Sequence, residues 1–169
     1  MPRTHLRAGD SAPEFFLRTA DGAEVSLARC LLEGHLLVEF LRGTWDPDSR
    51  RRIGELGAAR ESFRSRGAGI VAIACEQPRG IALYLAERPT SLALLADEER
   101  TAARAYGVLQ RFTLPIPNVA RPSSFLVDRC GFIRHAYVAS LQIHSAPLGE
   151  ILRVLDEIRR ADAPPAGTR

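Results

Sequence analysis

At 169 residues the chain is long enough for one domain with a real core and short for two. Apolar residues make up 46% and charged residues 25%, ordinary values for a globular protein, and the formal net charge is a mild +3. Every basic residue is arginine, which excludes lysine Schiff-base chemistry; the arginines are scattered with no interleaved aromatics, which speaks against a nucleic-acid partner, and no apolar run reaches the ~18 residues a membrane span needs.

Residues 9–27, "GDSAPEFFLRTADGAEVSL", hold two short apolar runs around Asp21-Gly22, the pattern of a hairpin. "HLLVEFL", 35–41, is a mainly apolar run bounded by Gly34 and Gly43, which predicts a buried strand. From Asp48 to Arg66 the residues Ile53, Leu56 and Phe63 mark one stripe of a helix. "AGIVAIAC", 68–75, predicts a second buried strand, 79–88 a helix, 91–97 a short strand, and 98–106 a helix ended by Gly107. "SSFLVD", 123–128, and "FIRHAYV", 132–138, flank a turn and predict a strand pair. Leu148, Ile151, Leu152, Leu155 and Ile158 space a closing helix over 147–161. The expected organisation is one domain over 1–161, with 162–169 a disordered tail. Strands alternating with helices imply a largely parallel α/β sheet, and the late strand pair makes it mixed. Ligands of such sheets sit beyond the carboxyl ends of the parallel strands. The turn "GTWDPDS" lies at such an end.

Three cysteines, Cys30, Cys75 and Cys130, lie far apart, so neither a disulfide framework nor Cys-x-x-Cys metal spacing is present. No metal or cofactor is expected. The opening "MPRTHLRAGD" lacks the apolar run of a signal peptide, and a cytoplasmic protein is the expectation. Arginine favours planar binding of carboxylates and phosphates, although uniform arginine usage equally follows from coding bias.

Taken in order, "GDSAPEFFLRTADGAEVSL", "LLVEFLRGTWDPDSRRRIGEL", "GIVAIACEQP", "LLADEERTAARAYGV" and "ARPSSFLVDRCGFIRHAYV" resemble the peroxiredoxins of the alkyl hydroperoxide reductase and thiol-specific antioxidant family. The resemblance covers Ala8 to Arg160. It implies a thioredoxin-like fold, a mixed sheet flanked by helices with an N-terminal hairpin extension, and members that often pair as homodimers. It also implies a Trp-Cys-Pro-x-Cys active turn, where this chain reads Trp45-Asp46-Pro47-Asp48-Ser49. The reactive cysteine position falls on Ser49 and the other on Asp46. A thiol at a helix start becomes a thiolate because its pKa drops from ~8.5 to roughly 3.5–7.5. A serine hydroxyl there stays protonated and forms no sulfenic acid, so thiol peroxidase chemistry has no first step.

Asp46 before Pro47 has the form of an N-cap followed by a first-turn proline, with Asp48 favoured by the helix dipole. It is equally placed to bind or orient a ligand, or to act as a base, in the former peroxide pocket. Ser49 is a nucleophile only with a positioned base. Arg121, before the Pro122 that matches the family's cis-proline, is expected to reach an anion in the pocket or to pair with Asp46 or Asp48. Gln142 and His144, in the loop after the last strand, border the turn in this fold; an exposed histidine without a role is the plainer reading of the second. Thr44, Trp45, Pro122, Gln142 and Phe112 are candidate substrate contacts, with Trp45 either walling the pocket or filling core. "RFTLPIPNVARP", 111–122, supplies Phe112, Leu114 and Ile116 as a rim.

Three functions follow. The first is a small-molecule ligand bound or converted without redox chemistry by Asp46, Ser49, Arg121 and His144. The second is a working thiol enzyme, through Cys75 or through a native cysteine exchanged for serine at 49. The third is a non-catalytic interaction module.

Overall fold

The computed structural model describes residues 5–112, 116–140 and 145–162. Its elements in chain order are β1 (Phe16–Thr19), β2 (Glu24–Ser26), α1 (Leu27–Glu33), β3 (His35–Leu41), α2 (Pro47–Arg64), β4 (Ala68–Ala74), α3 (Pro78–Glu87), β5 (Ala93–Ala96) and α4 (Thr101–Ala105). After these come β6 (Leu109–Gln110), β7 (Val119–Ala120), β8 (Ser123–Val127), β9 (Ile133–Val138) and α5 (Leu148–Asp162). Seven strands form one sheet in the order β2-β1-β5-β4-β3-β8-β9, and β6 pairs with β7 apart from it.

The expectation of a largely parallel sheet needs correction. Only β3–β4 and β4–β5 run parallel; β1–β2, β1–β5, β3–β8 and β8–β9 are antiparallel. Within each hairpin a short turn joins the two strands, which forces them antiparallel. The mixed character is as expected.

All seven residues of β3 are buried, since helices cover both faces. Leu37 and Leu41 point to one core with Ile53, Leu56 and Phe63 of α2, Ile81 of α3, and Ile151, Leu155 and Ile158 of α5. Leu36, Val38 and Phe40 point to the other, with Leu27 of α1, Ala102 and Ala103 of α4, and a tilted cluster of Phe40, Tyr106 and Phe125. The period of two therefore divides one strand between two cores.

Helix α1 was not expected, because seven residues carry little periodic signal. Ser26 caps it by accepting from Arg29 N, and Glu14, far upstream, accepts from Leu27 N at 2.7 Å. The helix predicted over 98–106 is shorter, α4 beginning at Thr101. Buried Asp97 accepts from Ala102 N and Ala103 N, while Arg100 stands at φ 60° and turns the chain into it. The expected 162–169 tail overlaps α5 at Asp162, and residues 163–169 lie outside the described residues. Among the described residues no helix is long and apolar enough to cross a membrane.

Candidate active-site turn at the end of β3

The turn joins the buried end of β3 to α2. Pro47 occupies the first turn of α2, and Asp46 is the N-cap: its Oδ2 accepts the Ser49 amide at 2.8 Å. Asp46 is buried, and its Oδ1 stands 3.5 Å from Arg42 Nη1. The Arg42 guanidinium lies 5.2 Å from the centre of the Trp45 ring, a cation–π stack. Arg42, Trp45 and Asp46 thus form one layered cluster.

Ser49 is also buried. Its hydroxyl accepts from Gly43 N at 3.5 Å, a long contact. Asp46 takes the Ser49 amide, not the hydroxyl, and no base is bonded to that oxygen among the described residues. A serine without a base is not an activated nucleophile.

Sequence reasoning did not find Glu76 or Arg50. Glu76, just past β4, accepts from both the hydroxyl (2.8 Å) and the amide of buried Thr44. Arg50 Nε donates to Thr44 O at 2.6 Å, and its guanidinium lies 5.8 Å from the Tyr84 ring. Thr44 is therefore held by its own amide, hydroxyl and carbonyl, and it fixes the turn rather than offering a free polar group. The only available signal was the position of Glu76 at a strand's carboxyl end.

Gly43 has a definite steric role. A side chain there would meet Trp45 Nε1 at 2.1 Å, because the indole folds back over residue 43. Gly43→Ala is expected to push the indole off its seat and break the stack with Arg42. A changed tryptophan emission maximum with an unchanged far-ultraviolet spectrum would register this; unchanged emission would contradict the packing.

Beneath the turn lies a buried polar group that the sequence did not reveal. Glu39 of β3, on the same face as Leu37 and Leu41, accepts from Arg52 Nε of α2 at 2.7 Å and from Ser124 Oγ of β8 at 2.6 Å. Arg52 also donates to Glu55 at 3.3 Å. Burial pushes the Glu39 carboxyl up, against the attraction and hydrogen bonds of Arg52 and the hydrogen bond of Ser124.

The register of β8 on β3 ends with Ser123 opposite Phe40, so Pro122 and Arg121 precede β8 at the end of the sheet where β3 finishes. Both are half-buried, and Arg121 N donates to Val108 O. Phe112 is 99% exposed, so its ring is not buried against the turn. Gln142, His144 and Leu114 lie outside the described residues. Cys75 follows β4 inside the core, and burial, then the charge of Asp97, pushes its thiol up to about 12. A thiol so poised holds essentially no thiolate at neutral pH. The described His, Cys, Asp and Glu residues include no group of three that could hold a metal.

A model of the AhpC/TSA family matches residues 8–136. This chain belongs to the AhpC/TSA family. A putative peroxiredoxin of Mycobacterium tuberculosis is 32% identical to this family member over 133 residues, 77% of this chain and 83% of the relative. Peroxiredoxin Bcp of Escherichia coli is 26% identical over 135 residues, 78% of this chain and 85% of the relative. Among solved structures, peroxidoxin BcpB from Mycobacterium tuberculosis superposes with a TM-score of 0.81 at 21% identity, covering 92% of this chain and 99% of that one. The AhpC/TSA member therefore has the thioredoxin-like fold its sequence implied, with the candidate turn at the carboxyl end of β3.

Proposed function

We propose that this peroxiredoxin-family chain is not a thiol peroxidase, and that it binds or converts a small molecule at the turn by non-redox chemistry. One observation carries the reading. The helix-start amide of Ser49 and the Arg42 guanidinium, the kinds of group that hold a thiolate, both engage the Asp46 carboxylate built into the chain. The anion seat is filled from within, and oxygen stands at position 49.

The bonding of Ser49 favours binding and orientation over covalent catalysis. Asp46 and Arg42 present opposite charges beside an aromatic face, a setting suited to a polar ligand with an apolar portion. In this reading Thr44 and Pro122 frame the turn, and Arg121, just before β8, contributes its positive charge. Gln142, His144 and Phe112 belong to the candidate set on the family resemblance alone. A homodimer and a cytoplasmic location, with no resident cofactor, belong to the same reading.

Hydroperoxide turnover with dithiothreitol is expected to be absent, and equally absent in Cys75→Ala. A thermal-shift screen of small polar organic acids and alcohols is expected to give at least one compound that raises the melting temperature, with Asp46→Asn blunting the rise. Cysteine-dependent peroxide turnover, or ligand shifts untouched by Asp46→Asn, would overturn the proposal.

A further inference from the structure

At the opposite end of the sheet, where β3 begins, a cavity of about 360 Å³ is lined by residues from four separate stretches of chain. Its side chains include His35 from β3, Arg66 beside Gly67, Arg129 from the β8–β9 turn, and Arg159 with Asp162 from the last turn of α5. We propose that this cavity is a binding site for a phosphate group, free or as the head of a small phosphomonoester.

The site is preorganised. Asp156 Oδ1 takes Arg66 Nε at 2.9 Å and Arg159 Nη1 at 3.6 Å, which sets the two guanidiniums side by side. Arg66 is further fixed by donating Nη1 to Ser62 O at 2.9 Å. Arg129 comes from another direction; its Nη2 would lie 3.6 Å from a side-chain carbon placed at Gly67. Among the described residues its guanidinium has no carboxylate partner. Three arginines thus face two carboxylates, leaving a positive excess in a concave site. Their planar forks, arriving from different sides, match the several oxygens of a tetrahedral phosphate better than the two of a planar carboxylate.

His35 supplies a neutral donor. It is buried, and its Nδ1 accepts from Arg129 N at 3.3 Å, so in the neutral ring the hydrogen sits on Nε2. Nε2 stands 4.0 Å from Asp162 Oδ2, a mostly exposed carboxylate and so an internal competitor for the ligand. Burial holds the His35 pKa below its ordinary value, and the charge of Arg129 adds to this. Arg134 acts in the same direction, while Asp162 and Asp128 oppose it; Arg66 and Arg159 line the same cavity. A phosphate dianion bound there would raise the His35 pKa, and by reciprocity would bind more tightly as pH falls.

The test is a nuclear magnetic resonance titration of the full chain with inorganic phosphate, glycerol phosphate and acetate at constant ionic strength. Saturable shifts at His35 and Gly67 with either phosphate are expected, together with a raised His35 pKa; the tighter of the two identifies the source. Arg129→Gln is expected to weaken binding at least tenfold, Asp162→Asn to tighten it several-fold, and Arg153→Gln, whose guanidinium pairs with Glu157 and does not line the cavity, to leave it unchanged. Both cavity substitutions are at exposed positions, so the fold is retained. No saturation by either phosphate, equal binding of acetate, or equal loss in Arg153→Gln would overturn the site.

Discussion

Arg52→Met is expected to lower the unfolding free energy by about 3–5 kcal/mol, the usual cost of leaving one partner of a buried ion pair behind. Glu39 and Arg52 are only 2% and 3% exposed, so water cannot take the missing partner's place. The Arg52 fork donates to Glu39 at 2.7 and 3.4 Å, and Ser124 supplies a further donor to the same carboxylate. Replacing the whole group, Glu39→Leu with Arg52→Met and Ser124→Ala, is expected to recover most of the loss, because no buried charge remains. Urea denaturation of the single and combined variants measures the coupling directly. A single-variant loss below about 1 kcal/mol, or losses that simply add, would show that the pair is not an isolated buried unit.

The same pair fixes a pH dependence. The folded Glu39 carboxyl lies above its ordinary value of 4.5, chiefly through burial. The folded state therefore holds this proton more tightly than the unfolded chain. Its contribution is fully present below 4.5 and is lost as pH rises through the folded value. Arg52 provides two of the three influences that pull the value down, the third being Ser124's hydrogen bond. Without Arg52 the value climbs and the alkaline loss steepens. The Arg52→Met deficit is accordingly smaller in mildly acidic than in mildly alkaline buffer.

The buried pair also marks where the sequence stopped being legible. Five apolar letters in seven sufficed for β3, and Asp46-Pro47 announced the start of α2, because those signals are local. Glu39 reads as an ordinary interruption in "HLLVEFL" until α2 and β8 bring Arg52 and Ser124 against it. Helix α1 was missed for the same reason: part of its cap is Glu14, on a different segment. Glu76 became part of the turn only because the β3–β4 register sets the end of one strand beside the other. The parallel centre of the sheet was legible from alternating strands and helices, but the direction of its flanking hairpins depends on pairings that no local period encodes. At the turn, Asp46 and Ser49 were found because a family pattern made their letters conspicuous. Arg42 departs from no pattern, and its role follows only from its approach to Asp46 and Trp45.

Restoring sulfur at position 49 is expected to be insufficient by itself for peroxide chemistry. In Ser49→Cys the new thiol would sit beside the Asp46 carboxylate, which already occupies the residue-49 amide and Arg42. A neighbouring negative charge disfavours the thiolate, and the thiolate is the nucleophile. Adding Asp46→Asn keeps a capping side chain, removes the charge and ends the ion pair between Asp46 and Arg42. The thiolate can then attack the terminal oxygen of a hydroperoxide; the O–O bond breaks, the leaving alkoxide takes a proton, and a sulfenic acid remains. Dithiothreitol returns it to the thiol, releasing water and becoming a disulfide itself. The double variant is expected to consume hydrogen peroxide about tenfold faster than Ser49→Cys, as a one-unit fall in thiol pKa implies while the thiol remains mostly protonated. Both are compared in a Cys75→Ala background, with the pH dependence of iodoacetamide alkylation reporting the thiol pKa. Equal rates in the single and double variants would mean that the Asp46 charge does not govern this seat. A peroxide rate in the unsubstituted chain matching that of the double variant would mean that sulfur at position 49 was never what the chemistry required.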